Sequence, residues 1–203
     1  MSKQLFGIAL TQLTAEMSRR TLYCAKKANG EYSVAQCFGK NEQGNLRYMR
    51  CEHTWVNGKC KHCGANRAQY DRVKTIENYA YPFIHKNLNE IFNNMQFDVI
   101  IGNPPYQLSD GGSGKSAKSI YHLFIEQALL LRPRFLSMII PARWYVGGKG
   151  LDDFRITMLN DKRIMKIVDF ENSSEIFSGV DIAGGICYFV WNREYNVHRN
   201  CTP

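Results

Sequence analysis

The chain has 203 residues and carries 26 Lys and Arg against 18 Asp and Glu, which gives a net charge of +8. This length suffices for one α/β domain with a buried core, and the basic balance suits a polyanionic partner. The sequence contains neither an apolar run of the ~18–20 residues that a membrane span needs nor an N-terminal signal-peptide pattern. Its 7 cysteines, an odd number, favour free thiols or a metal site over a disulfide framework.

The first part of the chain predicts a strand, a helix and then an irregular segment. Residues 5–10 form an apolar run, Thr11 is a suitable N-cap, and we expect a helix to continue to Lys27 before Asn29-Gly30 ends it. Residues 31–72 are rich in Gly, Asn, Cys, Lys and Arg and lack clean periodicity. We interpret them as an inserted loop.

The remainder of the chain alternates apolar runs with helical patterns. Expected strands cover residues 81–85, 97–101, 135–140, 163–170 and 185–191, and expected helices cover residues 119–131 and 151–159. The Gly-, Ser- and Lys-rich residues 110–118 are expected to form a flexible loop. This alternation predicts an α/β fold with a mostly parallel sheet, in which residues 97–101 are a buried strand.

The most informative segment is Asn103-Pro104-Pro105-Tyr106, which directly follows the strand predicted for residues 97–101. Open α/β sheets place their chemistry at the carboxyl ends of the strands. The two prolines stiffen the loop and remove two backbone donors, so the Asn103 side chain and a backbone carbonyl can accept hydrogen bonds from an exocyclic amine. Tyr106 offers a flat face for a base. The alternative interpretation is a proline-rich turn with an exposed tyrosine.

This motif resembles the catalytic motif of the Asn-Pro-Pro-Tyr class of N6-adenine DNA methyltransferases, of the Eco57I-like kind found in type II restriction–modification systems. Residues 121–131 and 137–144 resemble the helix and strand that follow the catalytic loop in that family. Residues 167–170 and 176–191 resemble its closing pair of strands. The resemblance covers nearly all of the chain apart from residues 31–72, and it implies a Rossmann-like methyltransferase sheet.

The resemblance also implies the chemistry. A methyl group would pass from S-adenosylmethionine to an adenine that is flipped out of DNA. The catalytic residues would be Asn103, Pro104, Pro105 and Tyr106, with Asn103 positioning the amine and Tyr106 stacking on the base. Phe177 matches a second aromatic residue that sandwiches the base in related enzymes, and its alternative interpretation is a core residue at a strand edge.

Cofactor binding is the point at which the chain departs from the family. Gly7 and Ala9 lie in a strand that resembles the family's second strand, and with Asn103 they form the implied cofactor site. An acidic residue normally stands at the position of Ala9 and holds the ribose hydroxyls, which a methyl group cannot do. Because only residues 1–4 precede this strand, we expect residues 1–203 to be a partial, N-terminally incomplete catalytic domain without the family's first strand and Gly-rich loop.

Four soft metal ligands lie close together within residues 31–72, namely Cys51, His53, Cys60 and Cys63. Zinc prefers Cys and His in tetrahedral geometry, and a turn at Asn57-Gly58 would bring the two pairs together, so a zinc-knuckle-like loop is predicted. Alternative ligands nearby are His62, Cys37 and Cys24. The alternatives to a structural zinc are a loop with reduced thiols and, less favoured because no thioredoxin-like strand precedes it, a redox Cys-x-x-Cys pair.

Residues 111–116 read Gly-Gly-Ser-Gly-Lys-Ser and partly resemble a phosphate loop. Ser109 stands where a P-loop needs glycine, and the segment does not join a strand directly to a helix. We therefore expect a loop on the substrate side, in which Lys115 and Lys118 contact DNA phosphates.

The leading prediction is thus a site-specific DNA adenine-N6 methyltransferase domain of a restriction–modification system, cytoplasmic and prokaryotic by family resemblance. Its expected partners are DNA and either an upstream methyltransferase segment or a recognition domain. One alternative is a catalytically inactive, zinc-containing nucleic-acid-binding remnant of such an enzyme. Another is a methyltransferase with the same motif that acts on RNA or protein.

Overall fold

The computed structural model describes residues 4–70, 81–108 and 117–196. The helices are α1 (Gln12–Tyr23), α2 (Arg67–Tyr70), α3 (Pro82–His85), α4 (Leu88–Phe92), α5 (Tyr121–Leu130) and α6 (Asp152–Asn160). The strands are β1 (Gly7–Ala9), β2 (Leu46–Tyr48), β3 (Trp55–Val56), β4 (Lys59–Cys60), β5 (Val99–Gly102), β6 (Phe135–Pro141), β7 (Ile164–Phe170) and β8 (Ile186–Asn192). Across these ranges, no helix combines the length and apolar character that crossing a membrane requires.

The N-terminal strand and helix form a small unit with a strand from the segment that was expected to be an insertion. Thr11 caps α1 as predicted, because its hydroxyl accepts a hydrogen bond from the Thr14 backbone N–H while the Thr14 hydroxyl accepts one from the Thr11 N–H. The helix ends at Cys24, in the left-handed conformation, earlier than the expected end at Lys27. β2 pairs with β1 in parallel, so this part of residues 31–72 belongs to a sheet and not to a loop.

The main sheet has the strand order β5-β6-β8-β7. β5 is parallel to β6, whereas β8 is antiparallel to both of its neighbours. Strands β5, β6 and β7 therefore run in one direction, and β8 runs in the other between β6 and β7. A mostly parallel sheet was predicted, and three of its four strands do run in one direction. Because β8 lies between β6 and β7, however, two of the three pairings are antiparallel.

The main core packs helices α5 and α6 against β6 and β8. Helix α5 buries Tyr121, Ile125 and Ala128 in this core and Phe124 in the neighbouring cluster that contains Cys60 and Cys63. The other buried contributors include Leu136, Ile140, Phe154, Met158, Cys187 and Phe189. Because β6 and β8 are covered in this way, the end of β5 that carries the Asn-Pro-Pro-Tyr segment is supported by a packed sheet.

Two expectations about strands are corrected by the structure. The segment expected as a strand at residues 81–85 contains helix α3 (Pro82–His85) instead, and Pro82 at its first position has a φ angle suited to a helix start. β5 is not buried, because Val99 exposes 57% and Ile101 76% of their surface. Among the strands in the described ranges β5 pairs with β6 alone, so only Ile100 packs against the main core.

Candidate functional site

The Asn-Pro-Pro-Tyr segment leaves the sheet at the carboxyl end of β5, beside the middle of β6, where Gly102 pairs with Met138. Asn103 is exposed, and within the described structure its side chain makes no hydrogen bond. Pro104 is buried and Pro105 half-buried, so the prolines anchor the loop while the Asn103 amide oxygen stays free to accept a hydrogen bond. The arrangement can therefore present acceptors to an incoming amine without prior rearrangement.

The backbone on either side of residues 109–116 is held together next to this loop. The Ile120 N–H donates to the Tyr106 carbonyl at 3.1 Å, and the Leu108 N–H donates to the Lys118 carbonyl at 2.9 Å. Gln107 and Ser119 form an antiparallel bridge between these two bonds. The backbone of Tyr106 is thus fixed against the start of α5.

The side chain of Tyr106 is half-buried and packs against the main core. Its hydroxyl is buried and has no hydrogen-bond partner among the residues that the structure describes, and the same holds for the hydroxyl of Tyr121. Burial, with a smaller contribution from Cys187, raises the pKa of Tyr106 to about 12. Tyr106 is therefore a neutral, largely apolar ring wall at physiological pH.

A cleft of about 310 Å³ opens between β1 and β5. It brings together the three residues of the predicted cofactor site, since Gly7, Ala9 and Asn103 all line it. The rest of the lining is mainly apolar and includes Phe6, Leu10, Phe97, Val99, Ile101, Pro104 and Met138. The volume of the cleft is near the lower end of the range for small-molecule pockets. Together with the apolar lining, it suits a planar ring system.

The structure limits what Gly7 and Ala9 can contribute to cofactor binding. A Cβ atom at Gly7 would lie 2.9 Å from Leu46 Cδ2, so the close approach of β2 already accounts for glycine at this position. Ala9 is half-buried in the cleft and supplies no acceptor for a ribose hydroxyl. The residues present therefore fit the apolar part of a nucleoside cofactor and lack its polar anchor.

The remaining predicted substrate residues lie apart from the cleft. Phe177 belongs to the connection between β7 and β8, is partly exposed and does not line the cleft. Lys118 is exposed, and its side-chain end lies against Gly64. Lys115 and the whole segment 109–116 lie outside the described residues.

A second cluster joins three of the four predicted metal ligands with a residue that the sequence analysis missed. The ligand atoms of His53, Cys60, Cys63 and His85 all lie within 4.8 Å of one another. Cys60 Sγ is 3.4 Å from His85 Nε2, and Cys63 Sγ is 3.4 Å from His53 Nδ1. Cys51, which was the predicted fourth ligand, is not part of this group.

The local sequence explains how three of these residues converge. Strands β3 and β4 form a hairpin whose turn residues, Asn57 and Gly58, have φ angles of 49° and 76°, as a type I′ turn requires. The hairpin places His53 near Cys60. After it, the Gly64 N–H donates to the Cys60 carbonyl at 2.9 Å, which closes the chain around Cys63.

His85 reaches the cluster from helix α3. Its Nδ1 lies 2.8 Å from the Tyr81 carbonyl, so Nδ1 carries the proton and Nε2 faces Cys60 with a free lone pair. Burial is the main reason that the pKa of His85 falls to about 4, so the ring is neutral. Ligand spacing could not find this residue, because residues 64–84 separate it from the Cys-x-x-Cys pair.

Comparison with known proteins adds two findings. Residues 3–177 match the model of a family described as "Eco57I restriction-modification methylase". The chain is also 40% identical over 218 residues to a protein of Mycoplasma pneumoniae (strain ATCC 29342 / M129 / Subtype 1) described as "Uncharacterized adenine-specific methylase". That alignment covers 96% of this chain and 52% of the relative, so the chain spans about half the length of the curated relative that it matches.

Proposed function

The chain belongs to the Eco57I restriction-modification methylase family, and from this premise we propose that it is the catalytic part of a site-specific DNA adenine-N6 methyltransferase of a restriction–modification system. The observation that carries the proposal is the exposed Asn103 on a proline-stiffened loop at the carboxyl end of β5. A purely structural turn would not require an unpaired side-chain amide at the sheet edge where α/β enzymes bind their substrates.

The proposed chemistry depends on positioning. The amine of adenine is a poor nucleophile because its lone pair is delocalised into the ring. The Asn103 side-chain oxygen and a proline carbonyl would accept hydrogen bonds from its two hydrogens and favour a pyramidal nitrogen with a directed lone pair. S-adenosylmethionine, when bound, supplies the electrophilic methyl group. Methylation makes the nitrogen strongly acidic, so its surplus proton passes to water after the transfer and no general base with an unusual pKa is needed.

Tyr106 would form one wall of the base pocket. Its ring is neutral and fixed by core packing, and aromatic faces stack on unpaired bases without sequence preference. We propose Phe177 as the opposite wall, and Lys115 and Lys118 as contacts to DNA phosphates. Lys118 is exposed and is part of the backbone bridge that holds Tyr106, which suits a phosphate contact beside a flipped base.

The cleft between β1 and β5 is the proposed cofactor site. Gly7, Ala9 and Asn103 line it, so a cofactor held there would be adjacent to the loop that positions the amine. Its aromatic and proline side chains would hold the adenine ring of S-adenosylmethionine by apolar contact. Because Ala9 offers no acceptor to the ribose, cofactor affinity should be low in the described residues alone.

We further propose that a strand from outside the described residues completes this site. β5 has no described partner on its outer edge, and its exposed Val99 and Ile101 face the same cleft as β1. Such an apolar edge is prone to pairing with another strand. The relative is about twice as long as the aligned region, so it contains further sequence that could include such a strand.

The decisive experiment measures N6-methyladenine in DNA. The chain would be expressed with and without its upstream genomic segment in a host that lacks adenine methylation, and the nucleosides would be quantified by mass spectrometry. We expect methylation with the segment present, and a fall of about 10²-fold or more for Asn103→Ala, as for the loss of a positioned transition-state contact. Exposed Asn160 provides the matched control, Asn160→Ala, which should keep full activity. Full activity of Asn103→Ala would contradict the proposed role of the loop.

A further inference from the structure

We propose that His53, Cys60, Cys63 and His85 bind one zinc ion, and that this ion fastens the β3–β4 hairpin to helix α3. The ligand set is two thiolates and two imidazoles, a combination typical of closed structural zinc sites. The proposal goes beyond the methyltransferase function and does not depend on it, since it concerns the packing of one segment on another.

The distances agree with a tetrahedral site. Zinc bonds of about 2.3 Å to sulfur and about 2.0–2.1 Å to nitrogen place neighbouring S and N ligand atoms about 3.6 Å apart. Both Cys–His pairs have an S···N distance of 3.4 Å, and the widest separation among the four ligand atoms is within 4.8 Å. Small side-chain rotations therefore suffice to place all four atoms around one ion.

The surroundings orient the ligands as metal sites require. The Tyr81 carbonyl accepts a hydrogen bond from His85 Nδ1, which fixes the tautomer that leaves Nε2 free for a metal. The backbone N–H groups of Cys63 and His62 also donate to the sulfur of Cys60. Such N–H···S bonds stabilise a thiolate at the turn of a Cys-x-x-Cys pair.

The two cysteines of the cluster are buried in an apolar core, and its two histidines are half-buried. Cys60 is 3% exposed and Cys63 is fully buried, and the ring of Trp55 lies 4.9 Å from that of His53. Two free thiols directed at two imidazoles would form only weak S–H···N bonds. A bound zinc ion would satisfy all four groups at once, which makes it the better account of their convergence.

The proposed ion would act on the neighbourhood of the catalytic loop. Cys60 and Cys63 belong to an apolar cluster that three other parts of the chain also enter. Ile84 comes from α3, Phe124 from α5, and Leu108 from the bridge between residues 106–108 and 118–120. His85 is the only ligand contributed from outside residues 51–66 in the described cluster. Loss of the metal should therefore separate the hairpin from α3 and loosen the support beneath Leu108.

X-ray absorption spectroscopy of the zinc-loaded wild-type protein tests the ligand set without any substitution. We expect about one zinc per chain and a first shell of two sulfur and two nitrogen atoms. Three sulfur atoms and one nitrogen would indicate Cys51 in place of His85 and would overturn the assignment. Purified protein that takes up neither Zn²⁺ nor Co²⁺ would overturn the site itself.

Substitutions provide the second test. Cys60→Ser and His85→Gln should each lose bound zinc and the intense visible bands of tetrahedral Co²⁺. Cys51→Ser and His62→Gln, which alter neighbours outside the proposed set, should keep both. Thermal unfolding with and without added zinc should show stabilisation of the wild type and of these two controls only. Retention of the Co²⁺ spectrum by His85→Gln would contradict the link to α3. Because metal content is read without DNA or cofactor, failure here is distinguishable from failure of the methyltransferase proposal.

Discussion

His85 Nε2 lies 3.4 Å from Cys60 Sγ, although the two residues are 25 positions apart in the chain. One belongs to helix α3 and the other to the last strand of a hairpin. This contact connects the Cys/His segment to the helix that packs on α5, and hence to the support of the Asn-Pro-Pro-Tyr loop. The cluster and the loop are therefore neighbours through the core, while their sequence motifs are separate.

The stacking role of Tyr106 predicts different effects for two substitutions. Tyr106→Ala should weaken capture of a flipped adenine by about 1–3 kcal/mol, the usual value of a base–aromatic stack. Tyr106→Phe should be mild and should not destabilise the fold, because the hydroxyl has no partner to lose among the described residues. Fluorescence of 2-aminopurine at the target position would report base capture.

Mismatched DNA is the control for this prediction. An unpaired target adenine costs less to flip, so it should partly rescue Tyr106→Ala. It should not rescue Asn103→Ala, whose defect lies after flipping. Equal defects in the Ala and Phe variants of Tyr106 would argue against stacking.

The missing acceptor at Ala9 leads to a gain-of-function prediction. In protein that contains the upstream segment, Ala9→Asp should raise affinity for S-adenosylmethionine about tenfold or more, because hydrogen bonds from ribose hydroxyls to a charged acceptor contribute about 1.5–3 kcal/mol. Calorimetric titration would measure the change. Ala9→Leu, which adds bulk without an acceptor, should weaken binding. If the Asp variant also weakened binding, the cleft would not hold the ribose at this position.

A matched pair of glycines directly before β8 allows a stability test. Gly184 and Gly185 both have positive φ angles, 90° and 73°, which cost an L-residue about 1–2 kcal/mol. A Cβ at Gly185 would collide with the backbone carbonyl of Phe170, whereas one at Gly184 has its nearest neighbour at 3.9 Å. In urea denaturation, Gly185→Ala should therefore lose about 1–3 kcal/mol more than Gly184→Ala. Equal losses would mean that β7 and β8 separate there at little cost.

His122 should make the fold sensitive to acid. Its Nδ1 is buried without a partner in the described structure, and burial, with a smaller effect of Lys118, lowers its pKa from 6.5 to about 4. Between these two pH values the unfolded chain binds more protons than the folded one, so stability falls as the pH drops from about 6.5 towards 4. Urea denaturation at pH 7 and pH 4.5 would measure this loss.

The comparison that isolates His122 uses two variants. His122→Gln should reduce the loss of stability between the two pH values, while Asn160→Gln, at an exposed position without an ionisable group, should leave it unchanged. An unaltered pH dependence in His122→Gln would show that other groups govern the acid response.

Much of the local structure followed from sequence patterns. The ends of α5, α6, β6, β7 and β8 lie within two residues of their expected positions. Thr11 caps α1 and Asn57-Gly58 turns the hairpin, because capping and type I′ turns depend on the φ preferences and side-chain acceptors of adjacent residues. The position of the Asn-Pro-Pro-Tyr loop after a strand was also predictable, because a short apolar run followed by glycine and prolines is a local pattern.

Relations between distant segments were decided by the tertiary structure. The pairing of β2 with β1, the insertion of β8 between β6 and β7, and the entry of His85 into the Cys/His cluster all join parts of the chain that carry no common local signal. The exposure of β5 is of the same kind, since an apolar strand is buried only if another element covers its outer face. The sequence by itself thus determined those conformations that depend on a few neighbouring residues. Contacts between segments depend instead on which apolar faces are buried together, a choice made by the whole chain.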